Sequence, residues 1–144
     1  MKRRKKAMEN SQTNITATKS IVYLKNNEIK RHKVLIVDDE EDLCMLLKNY
    51  LTRKNFEVFI AHTLNEGLSA LNEIRPDILF LDNNLPDGTG WDKASDLSAL
   101  YPHLRINLIS AFHPSLPDGG HHNINIIDKP VSLKQIDKFV STIS

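Results

Sequence analysis

From Lys33 onward the chain repeats one arrangement: a short apolar run, a polar break, then apolar residues at helical spacing. The runs are VLIV, FEVFIA, ILFL, INLI and INII. VLIV and ILFL are apolar throughout and INLI and INII carry one Asn each, which suits strands covered on both faces, while FEVFIA alternates in the manner of a strand. Strands alternating this closely with helices imply right-handed crossovers and a doubly wound α/β sheet. In such a sheet every strand points its C-terminal end at the same edge, so the residues that follow the runs converge there.

Four of the five runs end in residues suited to a phosphate-and-metal site. VLIV leads into Asp38-Asp39, ILFL into Asp82, INLI into Ser110, and INII into Asp128-Lys129-Pro130. FEVFIA ends at His62 with no evident chemistry. Between the runs, Leu43, Leu46, Leu47, Tyr50 and Leu51 predict a helix from about Glu41 to Lys54, closed by Asn55. Leu64, Leu68, Leu71 and Ile74 mark a second helix stopped by Pro76, and Trp91 to Leu100 a third ended by Pro102. Leu133, Ile136, Phe139, Val140 and Ile143 line one face of a closing helix. The segment 111–123 holds two prolines and a Gly-Gly pair, so the crossover helix expected there, helix four of the series, is short, irregular or missing.

Charge and composition narrow the function. A net charge of +1 over 144 residues argues against a dedicated nucleic-acid or membrane surface. Much of the positive charge lies in Lys2, Arg3, Arg4, Lys5 and Lys6, within a polar stretch 1–32 that has no helical or strand period. That stretch is expected to be a basic, disordered extension, with Ile21, Val22, Tyr23 and Leu24 available as a short edge strand. No apolar run approaches the ~18 residues of a membrane span, and no signal-peptide core follows the basic start, so a cytoplasmic protein is expected. Cys44, the single cysteine, sits among Leu43, Met45, Leu46 and Leu47 and reads as a buried structural thiol.

The acidic residues carry the sharpest implication. Unit charges about 4 Å apart at an effective dielectric near 20 repel by roughly 4 kcal/mol, so a trio of Asp38, Asp39 and Asp82 demands a cation or a proton. Carboxylates without His or Cys at ligand spacing select Mg2+, with Mn2+ as the alternative, over zinc. Taken singly, each residue has a plainer reading: helix capping for Asp38 and Asp39, a turn for Asp82, a satisfied hydroxyl for Ser110, a surface ammonium for Lys129. Their joint placement at strand ends favours a site. His121-His122 and the nearby His113 lack a carboxylate or thiol at ligand spacing and read as solvated.

Residues 33–144 resemble a response-regulator receiver domain of two-component signalling. The resemblance rests on IVDDE after the first strand, FLDNNLPDGTG after the third, Ser110-Ala111 after the fourth and Lys129-Pro130 after the fifth. It implies a flavodoxin-like five-stranded parallel sheet of order 2-1-3-4-5. It also implies that Asp82 is a phosphoacceptor served by a histidine kinase or histidine phosphotransfer protein. Asp39 and Asp82 would then bind Mg2+ directly, Asn84 would offer its backbone carbonyl, and Asp38 would act largely through water. Lys129 would supply a second cation, Ser110 the hydroxyl that senses the phosphoryl group, and Lys129-Pro130 a cis bond.

The departures are specific. The switch aromatic that receivers carry three residues before the lysine falls on Ile126, and Ser110 and Lys129 are only 19 positions apart. Only the closing helix follows Pro130. A stand-alone receiver is therefore expected, a signalling module and not an enzyme in the ordinary sense. It would have no DNA-binding domain and would signal by phosphorelay or by binding an unknown downstream protein. Two alternatives remain: a pseudo-receiver that binds partners without cycling phosphate, and a Mg2+-dependent phosphohydrolase of the haloacid-dehalogenase type. The latter would want an acid where this chain has Asn84.

Overall fold

The structure, a computed structural model, describes residues 30–112 and 123–141. Among the described residues there are five strands: β1 (Lys33–Val37), β2 (Glu57–Ala61), β3 (Ile78–Asp82), β4 (Arg105–Ser110) and β5 (Ile124–Asp128). All neighbours pair in parallel, in the order β2-β1-β3-β4-β5, as expected. Among the described residues there are four helices, α1 (Glu41–Arg53), α2 (Leu64–Ile74), α3 (Gly90–Leu100) and α4 (Leu133–Val140). These elements lie in the second of two units, which begins at His32. Residues 1–29, with the expected extension and the Ile21–Leu24 strand, lie outside the described residues. So do 113–122, where the crossover helix was expected to fail, and Ile143.

Alternation along each strand divides the core into two faces. Leu35, Val37, Leu79, Leu81, Ile106 and Leu108 pack with Leu64 and Leu71 of α2 and with Ala94 and Leu97 of α3. On the other face, Val34, Ile36, Ile78, Phe80, Ile109 and Ile127 meet Cys44, Leu47 and Leu51 of α1 and Ile136 and Val140 of α4. Each fully buried Leu, Ile or Phe contributes about 1.5–3 kcal/mol of transfer free energy. This two-sided burial keeps β1 and β3 apolar up to their C-terminal ends, and in mid-β4 the buried Asn107 amide donates to the Leu79 carbonyl at 3.4 Å.

Helix boundaries follow local chemistry. Thr63 and Thr89 accept from the N–H groups of Glu66 and Asp92, and Ser132 with Gln135 forms a reciprocal capping box. Asn55 at φ 72° lies just past the α1 cap, and Arg75 at φ 54° closes α2 ahead of Pro76. β3 runs one residue beyond the apolar ILFL, so Asp82 belongs to the strand itself.

Gly90 opens α3 directly behind that residue. A Cβ there would lie 2.7 Å from the Asp82 carbonyl oxygen and 2.7 Å from Leu81 Cγ. Main chain cannot yield as a flexible side chain can, so α3 approaches β3 this closely only with glycine at its start. Gly90→Ala is expected to lower stability by about 1–3 kcal/mol, measured by urea unfolding, with an unchanged midpoint as the contrary result.

Candidate functional site

The four strand ends singled out above meet at one edge. Asp38, directly after β1, is fully buried, Asp82 is nearly so, and Asp39 is exposed. Each offers a carboxylate oxygen, and the three oxygens lie within 4.8 Å of one another. Consecutive residues of an extended strand point to opposite faces, so Asp38 and Asp39 share a pocket only because the chain bends at Asp39.

The bend is held on several sides. Asp38 N–H donates to the Ala61 carbonyl at 3.0 Å, and Asp38 Oδ1 accepts from Glu40 N–H at 2.8 Å. The Asp38 carbonyl takes the Cys44 thiol at 3.3 Å and lies 2.9 Å from Nδ1 of His62. Cys44 is buried and unbridged, and burial, reinforced by the surrounding carboxylates, pushes its thiol up to about 12. That is the structural thiol expected from the sequence.

Lys129 reaches the cluster from the far side of the sheet edge. Its Nζ lies 3.4 Å from Asp82 Oδ1, 3.3 Å from Glu40 Oε1 and 4.0 Å from Asp38 Oδ2. Asp82 Oδ1 also accepts from Asn84 N–H at 3.3 Å, so both contacts fall on one oxygen of the carboxylate. The Lys129-Pro130 bond is cis, as the resemblance implied. Ser110, buried at the end of β4, accepts the Phe112 N–H on its Oγ at 3.2 Å, and its carbonyl takes Lys129 N–H at 2.9 Å.

The loop after β3 is anchored by two residues that entered the sequence reading only as letters of the FLDNNLPDGTG motif, with no role assigned. Leu85 is buried in the core, and Asp87 accepts the N–H groups of Leu64 at 2.7 Å and Asn65 at 2.9 Å with its two oxygens. Those backbone bonds hold its carboxyl below the usual range. Glu40 and His62 were also missed as neighbours of the cluster. Register would have found His62: Val37 pairs with Ala61, so the residues following each strand lie side by side.

Electrostatically the cluster is short of positive charge. Burial pushes the Asp38 carboxyl up to about 6, helped by Asp82 and opposed by the Glu40 N–H and Lys129. Burial likewise raises Asp82, against the Asn84 N–H and Lys129. Burial alone would lower Lys129, but Asp38, Asp82 and Glu40 outweigh it and hold the ammonium above its ordinary value. Asp38 Oδ2 is buried without a hydrogen-bond partner. Three crowded hard oxygens, one of them without a donor, fit a divalent cation of the Mg2+ or Mn2+ type.

Comparison with known proteins agrees with this geometry. The family model for the response regulator receiver domain matches residues 34–141, and the chain belongs to that family. Receiver domains are signalling modules of two-component systems that bind Mg2+ at an acidic pocket and interact with histidine kinases. Membership sets aside the haloacid-dehalogenase alternative. Response regulator protein PilR of Pseudomonas aeruginosa is 29% identical over 120 residues, covering 79% of this chain and 26% of PilR. Chemotaxis protein CheY of Thermotoga maritima is 32% identical over 80 residues, covering 55% of this chain and 67% of CheY. The chain thus spans about a quarter of the length of PilR and about two thirds of CheY. The response regulator TrrA of Thermotoga maritima, solved with Mg2+-BeF, shares the fold at a TM-score of 0.68 and 22% identity, over 78% of this chain and 99% of TrrA. Among the described residues no helix is long and apolar enough to cross a membrane.

The raised Asp38 carboxyl gives the metal-free protein a signed pH dependence. Its folded value of about 6 exceeds the reference 3.8, so the folded chain binds this proton more tightly than the unfolded chain. The resulting stability is fully present below about 3.8 and is lost as pH rises through about 6, a difference of about 3 kcal/mol at most. In chelator, Asp38→Asn is therefore expected to stabilise the protein at pH 7.5 and to have little effect at pH 4. Urea unfolding at both pH values checks this; equal effects at the two would contradict it.

Proposed function

We propose that Asp82 is the phosphoacceptor of this receiver. It takes a phosphoryl group from a phosphohistidine on a histidine kinase or phosphotransfer protein and signals by protein association or phosphorelay. The observation carrying this reading is the meeting of Asp38, Asp39 and Asp82 oxygens within 4.8 Å, with Lys129 Nζ 3.4 Å from Asp82 Oδ1. Lys129 favours the ionised carboxylate, which is the nucleophilic form. Attack forms a bond from an Asp82 oxygen to phosphorus and breaks the bond from phosphorus to the donor imidazole, which leaves as neutral histidine once protonated.

Asp39 and Asp82 are the direct ligands in this reading, with the Asn84 carbonyl as a third and Asp38 acting through water. A bound Mg2+ would neutralise charge between the nucleophile and the phosphoryl oxygens. Lys129 pairs with a phosphoryl oxygen on the opposite side and keeps Asp82 aligned. The Phe112 N–H occupies Ser110 Oγ as an acceptor, so the hydroxyl proton of Ser110 is available to donate to the phosphoryl group.

Ile126 at the position of the switch aromatic favours one competing reading, a binding module that never cycles phosphate. Acetyl phosphate with Mg2+ is expected to add one phosphoryl group, detected by intact mass, and Asp82→Asn is expected to abolish the addition. Lys129→Met should slow it by roughly a hundredfold or more, about 3 kcal/mol of lost electrostatic stabilisation. No mass change in the unaltered chain, under conditions that modify another receiver, would favour the binding module.

A further inference from the structure

β2 is the one strand whose end showed no chemistry in the sequence, yet its His62 enters the site from the side. The Asp38 carbonyl lies one position beyond the last pairing of β1 with β2, where the chain bends to bring Asp39 beside Asp38 and Asp82. It receives His62 Nδ1 at 2.9 Å and the Cys44 thiol at 3.3 Å. A carbonyl oxygen only accepts, so the His62 proton in this bond sits on Nδ1. A thiol is a weak donor, which makes the imidazole the stronger of the two holds. The main chain that carries the ring is itself tethered, since the backbone N–H of His62 donates to Glu66 Oε2 at 3.2 Å in the first turn of α2.

We infer that His62 is a positioning residue for the acidic cluster: its Nδ1–H fixes the Asp38–Asp39 peptide plane, and through it the direction of the Asp39 carboxylate. The inference rests on the reading of Asp38, Asp39 and Asp82 as a cation site. His62 touches neither the reacting atoms nor the proposed cation; it acts through the main chain. Its side chain is exposed and outside both core clusters, so its replacement removes little packing.

The test compares the full chain with His62→Leu, which lacks the donor, and His62→Asn, whose amide N–H can occupy the place of Nδ1–H. Mg2+ affinity is measured by calorimetry, and the metal-free 15N–1H resonance of Asp39 reports the bend without any cation. His62→Leu should weaken Mg2+ binding on the order of tenfold and shift the Asp39 resonance, and His62→Asn should recover most of both. An affinity in His62→Leu equal to that of the unaltered chain overturns the inference, as does a loss that His62→Asn fails to recover. If the unaltered chain binds no Mg2+, the cation reading falls. The Asp39 resonance then still judges His62: a shift in the leucine variant, reversed by asparagine, supports its hold on the bend, and an unmoved resonance overturns it.

Discussion

Everything at the working edge of this fold answers to one constraint: three carboxylates are held within 4.8 Å of one another, with one ammonium among them. Left to solvent, such groups would separate, since their mutual repulsion is worth several kcal/mol even at a moderate dielectric. Here they are fixed to the ends of β1 and β3, adjacent central strands buried on both faces. Burial on both sides of the sheet offsets the cost of placing charge at its rim. The raised carboxyls of Asp38 and Asp82, and Asp38 Oδ2 without a hydrogen-bond donor, are the residue of that cost. A site that carries its own unmet charge is prepared for a cation before one arrives.

Holding the carboxylates is a task shared by elements that supply none of them. Asp87 spends both its oxygens on the first N–H groups of α2, tying the loop after β3 to a helix packed on the same face of the sheet. Leu85 sinks into the core beneath that loop, and Gly90 lets α3 start against the Asp82 carbonyl. α1 contributes the Cys44 thiol to the bend at Asp38, and its N-cap residue Glu40 contributes an N–H. The result is a site tied down by several contacts on the side of β1 and β3, which would suit the proposed phosphoryl transfer, a reaction that depends on positioning.

Much of this was legible in the sequence because two-sided burial writes itself as short, largely apolar runs, and the end of such a run is a recognisable place. The strands and the meeting of Asp38, Asp39, Asp82, Ser110 and Lys129 at one edge follow from that pattern, while the strand order came from the resemblance to receiver domains. Contacts made through the main chain were not legible. His62 and Asp87 act on carbonyl and N–H groups, which every residue has, so nothing in their own identity announces the partner. Glu40 was hidden differently: in sequence it continues an acidic run at the start of α1, and only the crossing of Lys129 from the β5 end makes it a counter-charge. The bend that brings Asp39 to Asp38 was a requirement of the site, but the atoms that hold it could be found only in three dimensions.

The two sides of the edge differ in how they can respond to a change of charge at Asp82. On the β1 side, Asp38 is bonded through its N–H, its carbonyl and Oδ1, and movement there would break several contacts together. On the other side, Lys129 divides its ammonium among three carboxylates at 3.3 to 4.0 Å, an arrangement that a new anion can redistribute without breaking any backbone bond. Lys129 N–H is bonded to the Ser110 carbonyl, and Ser110 Oγ to the N–H of Phe112, whose ring is 80% exposed. A continuous set of bonds thus leads from the acid cluster through the ends of β5 and β4 to an exposed aromatic ring. With isoleucine at 126, on the edge strand β5, no ring flip at that position can carry the change. If Asp82 is the phosphoacceptor as proposed, the charge rearrangement around Lys129 and the hydroxyl of Ser110 are the routes that these residues would provide from the site to the protein surface.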